Sequence, residues 1–246
     1  MLLGSLLAGG PVMHFHLPKP LHGWREFTGE VGIIVVGVLI ALAGEQLVER
    51  AHWSRQVDLE RSALHSEIEQ NLDAVQSRMA LEPCVHRRIG ELQQLVDLSP
   101  DEASRRIAGK VGLPLPVSGS KGAWSIALAG ETLSHMPLDE QLAYSNAFAN
   151  YENWDVIRHE EREAWLQLAV LNHPRALGDA DWVNIRQAVA EAAAADARIA
   201  SVGPFIFTTA SVGQKPSSES TVEQQFKDQG YGSEICQPLL RAMATR

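Results

Sequence analysis

Ser118-Gly119-Ser120-Lys121 sets a serine three residues before a lysine, the S-x-x-K order in which an amine can activate a hydroxyl nucleophile. Tyr144-Ser145-Asn146 would be its second element. The third element of that chemistry, K-T-G, is absent, the two present lie too close together, and no strand-rich region surrounds them. A loop followed by a helix start accounts for residues 118–121. Glu49-x-x-His52 is half of a di-iron carboxylate site, since i, i+3 spacing puts both side chains on one helix face. A second E-x-x-H is missing. Glu131 and His135 stand four apart, as do Asp155, His159 and Glu163 in series. Such ladders are ordinarily solvated, salt-bridged helix faces. Gly119-Ser120-Lys121-Gly122 lacks the G-K-[ST] order of a phosphate loop. His14 and His16 can share a metal, but a pair in a flexible tail reads as a tail. No catalytic residue, no metal ligand set and no cofactor is expected. The alternative is an enzyme or metal-binding protein whose acids and histidines, such as His135, His159 and Glu163, meet only in the fold.

The two cysteines, Cys84 and Cys236, leave two readings open. They are unrelated thiols, or they form one disulfide tying the start of the body to its C-terminus in an oxidising compartment. The net charge is -9, and without the first 48 residues it is -8, from 19 basic and 27 acidic residues. An acidic body with no dense run of Lys and Arg argues against a nucleic-acid partner, which needs a basic patch.

The elements that position these residues begin with "GEVGIIVVGVLIALAGEQ", residues 29–46. Its uninterrupted apolar run, Val31 to Gly44, has 14 residues. At a helical rise that is roughly 21 Å, short of a hydrocarbon core of about 30 Å. Counting from Phe27 to Val48 gives 22 residues, enough to span when Glu30 and Glu45 lie near headgroups or face protein. Trp24 and Trp53 lie 29 residues apart. That is roughly 43 Å of helix, close to the full bilayer thickness, and tryptophan favours both interfaces. A cleaved signal is the competing reading, with Lys19 and Arg25 as its basic region and Ala41-Leu42-Ala43 as the cut. The long leader, Glu30, and a helical pattern that continues past the cut stand against it. A buried strand fails on length and on its glycines.

Lys19 and Arg25 precede the run, while Arg50, Arg55 and Arg61 follow it, a tally that slightly favours an inverted topology. The signal-like leader and the possible disulfide favour the body outside. The expected arrangement is a bacterial inner-membrane protein crossing once: a cytoplasmic tail (1–26), a transmembrane helix (27–48) and a periplasmic body (49–246). Glu30, Gly37, Ala41 and Gly44 share one helix face, because steps of 7, 11 and 14 residues nearly return to the starting angle. Gly37-x-x-x-Ala41 lets two backbones approach closely in lipid, which predicts self-association through the span. Residues 1–12 are apolar, uncharged and too short to span, and Met13 begins a more coherent segment, so translation can start at either methionine.

"HLPKPLHGWREFTGEVGIIVVGVLIAL" (16–42) resembles the N-terminus of a group of uncharacterised bacterial single-span membrane proteins, similar to a larger domain-of-unknown-function family. "SEIEQNLD" (66–73) and "GAWSIALAGETLSHMPLD" (122–139), with Tyr151, resemble that family's helical body more diffusely. The resemblance implies one span plus a helical domain and supplies no activity.

Gln46 to Leu81 reads as one long helix, with Val57, Leu64, Ile68, Leu72 and Val75 at three- and four-residue spacing, ended by Glu82-Pro83. A second helix follows from Cys84 to Leu98. Ser99-Pro100-Asp101-Glu102 is a capping box that opens a third. Residues 109–122 form a proline- and glycine-rich loop, and helix resumes near Ala123. Pro137 precedes a long helix, Leu138 to Leu171. Asp179 is expected to cap an alanine-rich helix to about Ala200, and 203–213 to form a short strand or buried loop. Ser220-Thr221-Val222-Glu223 is expected to open a C-terminal helix. The six tryptophans are expected to fill core. The fold class is mainly α, a transmembrane helix continuing into an antiparallel helical bundle. The function expected of it is binding, sensing or scaffolding at the envelope, through an unknown protein partner or small ligand. A secreted domain cut near Ala43 is the other alternative.

Overall fold

The computed structural model describes residues 23–114, 119–174, 177–216 and 234–241. The expected tail up to residue 22 and the expected helix opening at Ser220 lie outside the described residues. Among the described residues six helices follow in order: α1 (Gly23–Ala80), α2 (Glu82–Val96), α3 (Pro100–Arg106), α4 (Gly122–Ala129), α5 (Leu138–Leu168) and α6 (Asp179–Thr209). Short 3-10 turns at Thr132–His135 and Ala169–Asn172 flank α5. Among the described residues there is no strand, only one antiparallel bridge between Ile107 and Leu240.

The chain divides into two units, one ending at His52 and the other beginning at Trp53. In the first, every described residue is helical and exposed. Its apolar side chains from Ile33 to Leu42 are exposed, and α1 contains an 18-residue window apolar enough to cross a membrane by length and composition.

The second unit is a helical bundle built on α5 and α6. They run antiparallel: Trp165 and Leu168 share a cluster with Trp182 and Ile185, while Tyr144 and Tyr151 share one with Ile206 and Ala210. The Tyr151 hydroxyl donates to Ala210 O at 2.9 Å. α1 runs in the same direction as α5, because Arg61 meets Glu140 and, further along, Arg78 meets Glu161. The expected stripe of Val57, Leu64, Ile68, Leu72 and Val75 is the face that α1 buries. Leu81 is a single non-helical residue. Pro83 then sits in the first turn of α2, where its missing N–H costs nothing, so Glu82-Pro83 opens the second helix as well as closing the first. Ser99 caps α3, its hydroxyl accepting from Glu102 N at 3.4 Å.

Two sequence expectations are corrected here. Residues 203–209 are neither strand nor loop but the last turns of α6. The buried positions Ala192, Ala195, Ile199, Gly203 and Ile206 keep helical spacing straight through Gly203-Pro204. A Cβ on Gly203 would stand 2.4 Å from Met79 Sδ, so glycine permits the close crossing of α6 over α1. Packing of that face outweighs the local propensity of proline and β-branched residues. The cap of α6 is also displaced by one residue. Gly178 is the N-cap, and Asp181 reaches back to accept from its N–H at 2.8 Å, while Asp179 is already helical.

Cys84 in the first turn of α2 is disulfide-bonded to Cys236, 152 residues later, with the two Cα atoms 4.8 Å apart. Segment 234–241 is held there by more than sulfur. Arg88, fully buried, donates to the carbonyls of Lys110, Val111, Glu234 and Gln237. Gly112 has φ +70°, and a Cβ on it would meet Ile235 N at 2.6 Å. Substituting Ser for Cys84 is expected to lower the body's stability by about 2–5 kcal/mol. Urea unfolding with and without reductant checks this: a midpoint that ignores reduction would show that the cystine contributes nothing.

Candidate functional site

Loop 119–121 and the start of α4 are fastened to α1 by two buried side chains one helical turn apart, Glu67 and Asn71. Asn71 makes a two-way clasp with Ser120: its Oδ1 accepts from Ser120 N at 2.6 Å and its Nδ2 donates to Ser120 O at 2.8 Å. Glu67 accepts from Ser120 Oγ at 2.7 Å and from the free N–H groups of Ala123 and Trp124 at 3.1 and 2.9 Å. Those amides are orphans of the helix start, and a carboxylate there also meets the positive end of the helix dipole. Asp155 on α5 takes the Gly119 N–H at 3.0 Å.

This fastening opens a cleft of about 380 Å³ between α4 and α5. Trp124 and Phe148, stacked at 5.0 Å, and Tyr151 supply its apolar wall. Ser120, Ser125, Ser145, Glu152 and Asp155 supply its polar atoms, with Lys121 bridged to Glu152 at 3.1 Å. The arrangement, an aromatic wall with a few convergent polar groups, suits a small ligand. Lys121 and Ser145 from the two serine-chemistry elements both line it, while Ser118 lies outside the described residues. Tyr144 is buried elsewhere, its hydroxyl 2.8 Å from His65 Nε2 and 3.3 Å from Glu140. Burial and the Glu140 charge push the Tyr144 phenol up to about 12.

A second assembly lies deeper. Arg78 of α1 donates to Glu161 of α5 at 2.6 Å, to Asp196 of α6 at 2.7 Å and to Glu82 of α2 at 3.2 Å. Arg78, Glu161 and Asp196 are buried, and Arg158 also pairs with Glu161. Burial, with the Arg78 charge beside it, lowers the Arg158 guanidinium to about 9. Burial and the neighbouring Asp196 raise the Glu82 carboxyl above its ordinary range. Glu82, His86 and Asp196 each offer a ligand atom, all within 4.8 Å of one another. Sequence spacing did not show this group, because Asp196 belongs to another helix.

The other residues singled out by spacing stay apart from both assemblies or take structural parts. Glu30, Gly37, Ala41 and Gly44 are exposed on α1, with nothing near Gly37 or Gly44. Trp24 is 82% exposed, whereas Trp53 stacks on His135 at 3.7 Å. Glu49, Glu131, His159 and Glu163 are exposed. Trp154, Trp165 and Trp182 fill core as expected, but Trp124 lines the cleft. Comparison with family models, curated proteins and solved structures finds no match.

Glu67→Ala is expected to cost about 1–3 kcal/mol, since it strands buried donors. Hydrogen exchange at Ala123 and Trp124 should accelerate with it, and unchanged protection there would refute the clamp. Acid dependence follows from Glu140, whose carboxyl the Arg61 hydrogen bonds at 2.6 and 3.0 Å hold below the ordinary range. A depressed carboxyl stabilises the fold above its unfolded value, about 4.5, and loses that contribution as pH falls through its folded value. Unfolding midpoints measured from about pH 6 to about pH 3 should therefore fall less steeply for Glu140→Gln than for the unaltered chain.

Proposed function

We propose that this chain is a single-span protein of the bacterial inner membrane whose helical body, on the periplasmic side, works by binding: as a sensor or scaffold rather than a catalyst. The observation that carries the reading is α1. One helix holds both an apolar stretch with every side chain exposed and, further along, a face buried in the bundle. Exposed aliphatic residues from Ile33 to Leu42 are costly in water and at rest in lipid. The Cys84–Cys236 disulfide supports an oxidising compartment for the body. The resemblance of residues 16–42 to single-span bacterial proteins points the same way.

The cleft between α4 and α5 is the place proposed for a small ligand. Its best-placed polar groups are already engaged in holding the loop: Ser120 Oγ donates to Glu67, and Asp155 accepts from Gly119. Such a site recognises and reports rather than transfers protons. Self-association through Glu30, Gly37, Ala41 and Gly44 belongs to the same proposal, since small residues let spans approach.

Membranes washed at alkaline pH should keep the full-length chain, and protease added to spheroplasts should digest its body. Recovery of the intact chain in the wash without detergent would overturn the anchor, and a protected body would overturn the orientation. Gly37→Ile should weaken crosslinked dimers in the same membranes; an unchanged dimer would remove that face from the interface.

A further inference from the structure

We propose that Glu82, His86 and Asp196 form a binding site for one divalent transition-metal ion, with zinc the best match to the donors. Glu82 and His86 are four apart on α2, so their side chains leave the same face of the helix. That face meets Asp196 of α6, and one donor atom from each residue lies within 4.8 Å of the other two. The His86 Nδ1 to Asp196 Oδ2 distance is 3.7 Å. This is too long for a hydrogen bond. It is close to the roughly 3.4 Å that separates two ligands of a tetrahedral ion with bonds of about 2.0–2.1 Å.

The surroundings suit an ion in three ways. First, Arg78 holds one oxygen of each carboxylate, Oδ1 of Asp196 at 2.7 Å and Oε2 of Glu82 at 3.2 Å. Ligating carboxylates are commonly oriented by such outer hydrogen bonds, and each keeps its second oxygen for the ion. Second, the Arg78 charge is itself matched by Glu161, which accepts from it at 2.6 and 3.0 Å in full burial. Arg78 and Arg158 thus face three carboxylates, Glu82, Glu161 and Asp196, and a cation can take up the remaining negative charge. Third, the His86 side chain is 82% exposed while Asp196 is 5% exposed. The site thus has a fixed floor and an open side, which gives the ion an entry path and leaves a coordination position for water. One imidazole nitrogen with two carboxylate oxygens matches zinc better than calcium or magnesium, which favour oxygen alone.

The test is zinc titration of the full-length protein in detergent against a chromophoric competitor, beside His86→Ala and, as a control for stray surface histidines, His159→Ala. The His86 side chain is 82% exposed and belongs to neither apolar cluster, so its replacement is expected to leave the bundle intact. The expected result is one zinc per chain, at least tenfold weaker binding in His86→Ala and none of that loss in His159→Ala. Zinc should also raise the thermal unfolding midpoint of the unaltered chain and of His159→Ala, but not of His86→Ala. Failure to retain zinc, or equal retention by His86→Ala, would overturn the site. So would a loss shared equally by both variants, which would mark diffuse surface binding.

Discussion

The buried guanidinium of Arg78 is the constraint around which the body is arranged. A charge removed from water is tolerated only when its partners are fixed in place, and Arg78 has three, on three different helices: Glu82, Glu161 and Asp196. Their geometry sets how far α2, α5 and α6 can slide along α1. Apolar packing alone is less particular, because Leu and Ile side chains accept several registers. The ion cluster lies where the two apolar clusters of the bundle adjoin. One is built on α1, α4 and the opposite ends of α5 and α6; the other on α2, α3 and the segment carrying Cys236. Such a cluster is a cost in desolvation that its hydrogen bonds offset, and loss of any one partner leaves an uncompensated charge.

Much of the helical framework was legible because its signals are local. The stripe on α1 repeats at helical spacing, Ser99-Pro100-Asp101-Glu102 caps α3, and Pro137 precedes α5. The end of α6 was not legible. Gly203, Pro204 and the β-branched residues after it argue against helix when taken in isolation. What outweighs that is packing of the buried face of α6, where Gly203 lies against Met79 of α1, a contact that no window of sequence contains. The N-cap of α6 was misplaced by one residue for a smaller reason: a backbone N–H satisfied by Asp181 serves where a side-chain cap at Asp179 was expected.

The candidate sites were harder to read for the same reason. Spacing directed attention to ladders on single helices, His159 and Glu163 among them, and these are exposed. The groups that do converge come from separate helices. Glu67 and Asn71 are polar positions in the middle of a long helix, yet they are buried because an oncoming loop and helix start require acceptors. Lys121 and Ser145, from the two incomplete serine-chemistry elements, both line one cleft. Apolar periodicity identifies a helix's buried face, whereas a polar residue on that face means nothing until its partner is known.

The cystine between Cys84 and Cys236 closes most of the body into a covalent ring. A linear chain cut once falls into two pieces, but a ring cut once only opens. Scission anywhere between these residues, the Gly119–Lys121 loop included, leaves both fragments joined to α1. Such damage releases nothing from whatever α1 is fixed to, and a nicked molecule keeps its place until the sulfur link is also reduced.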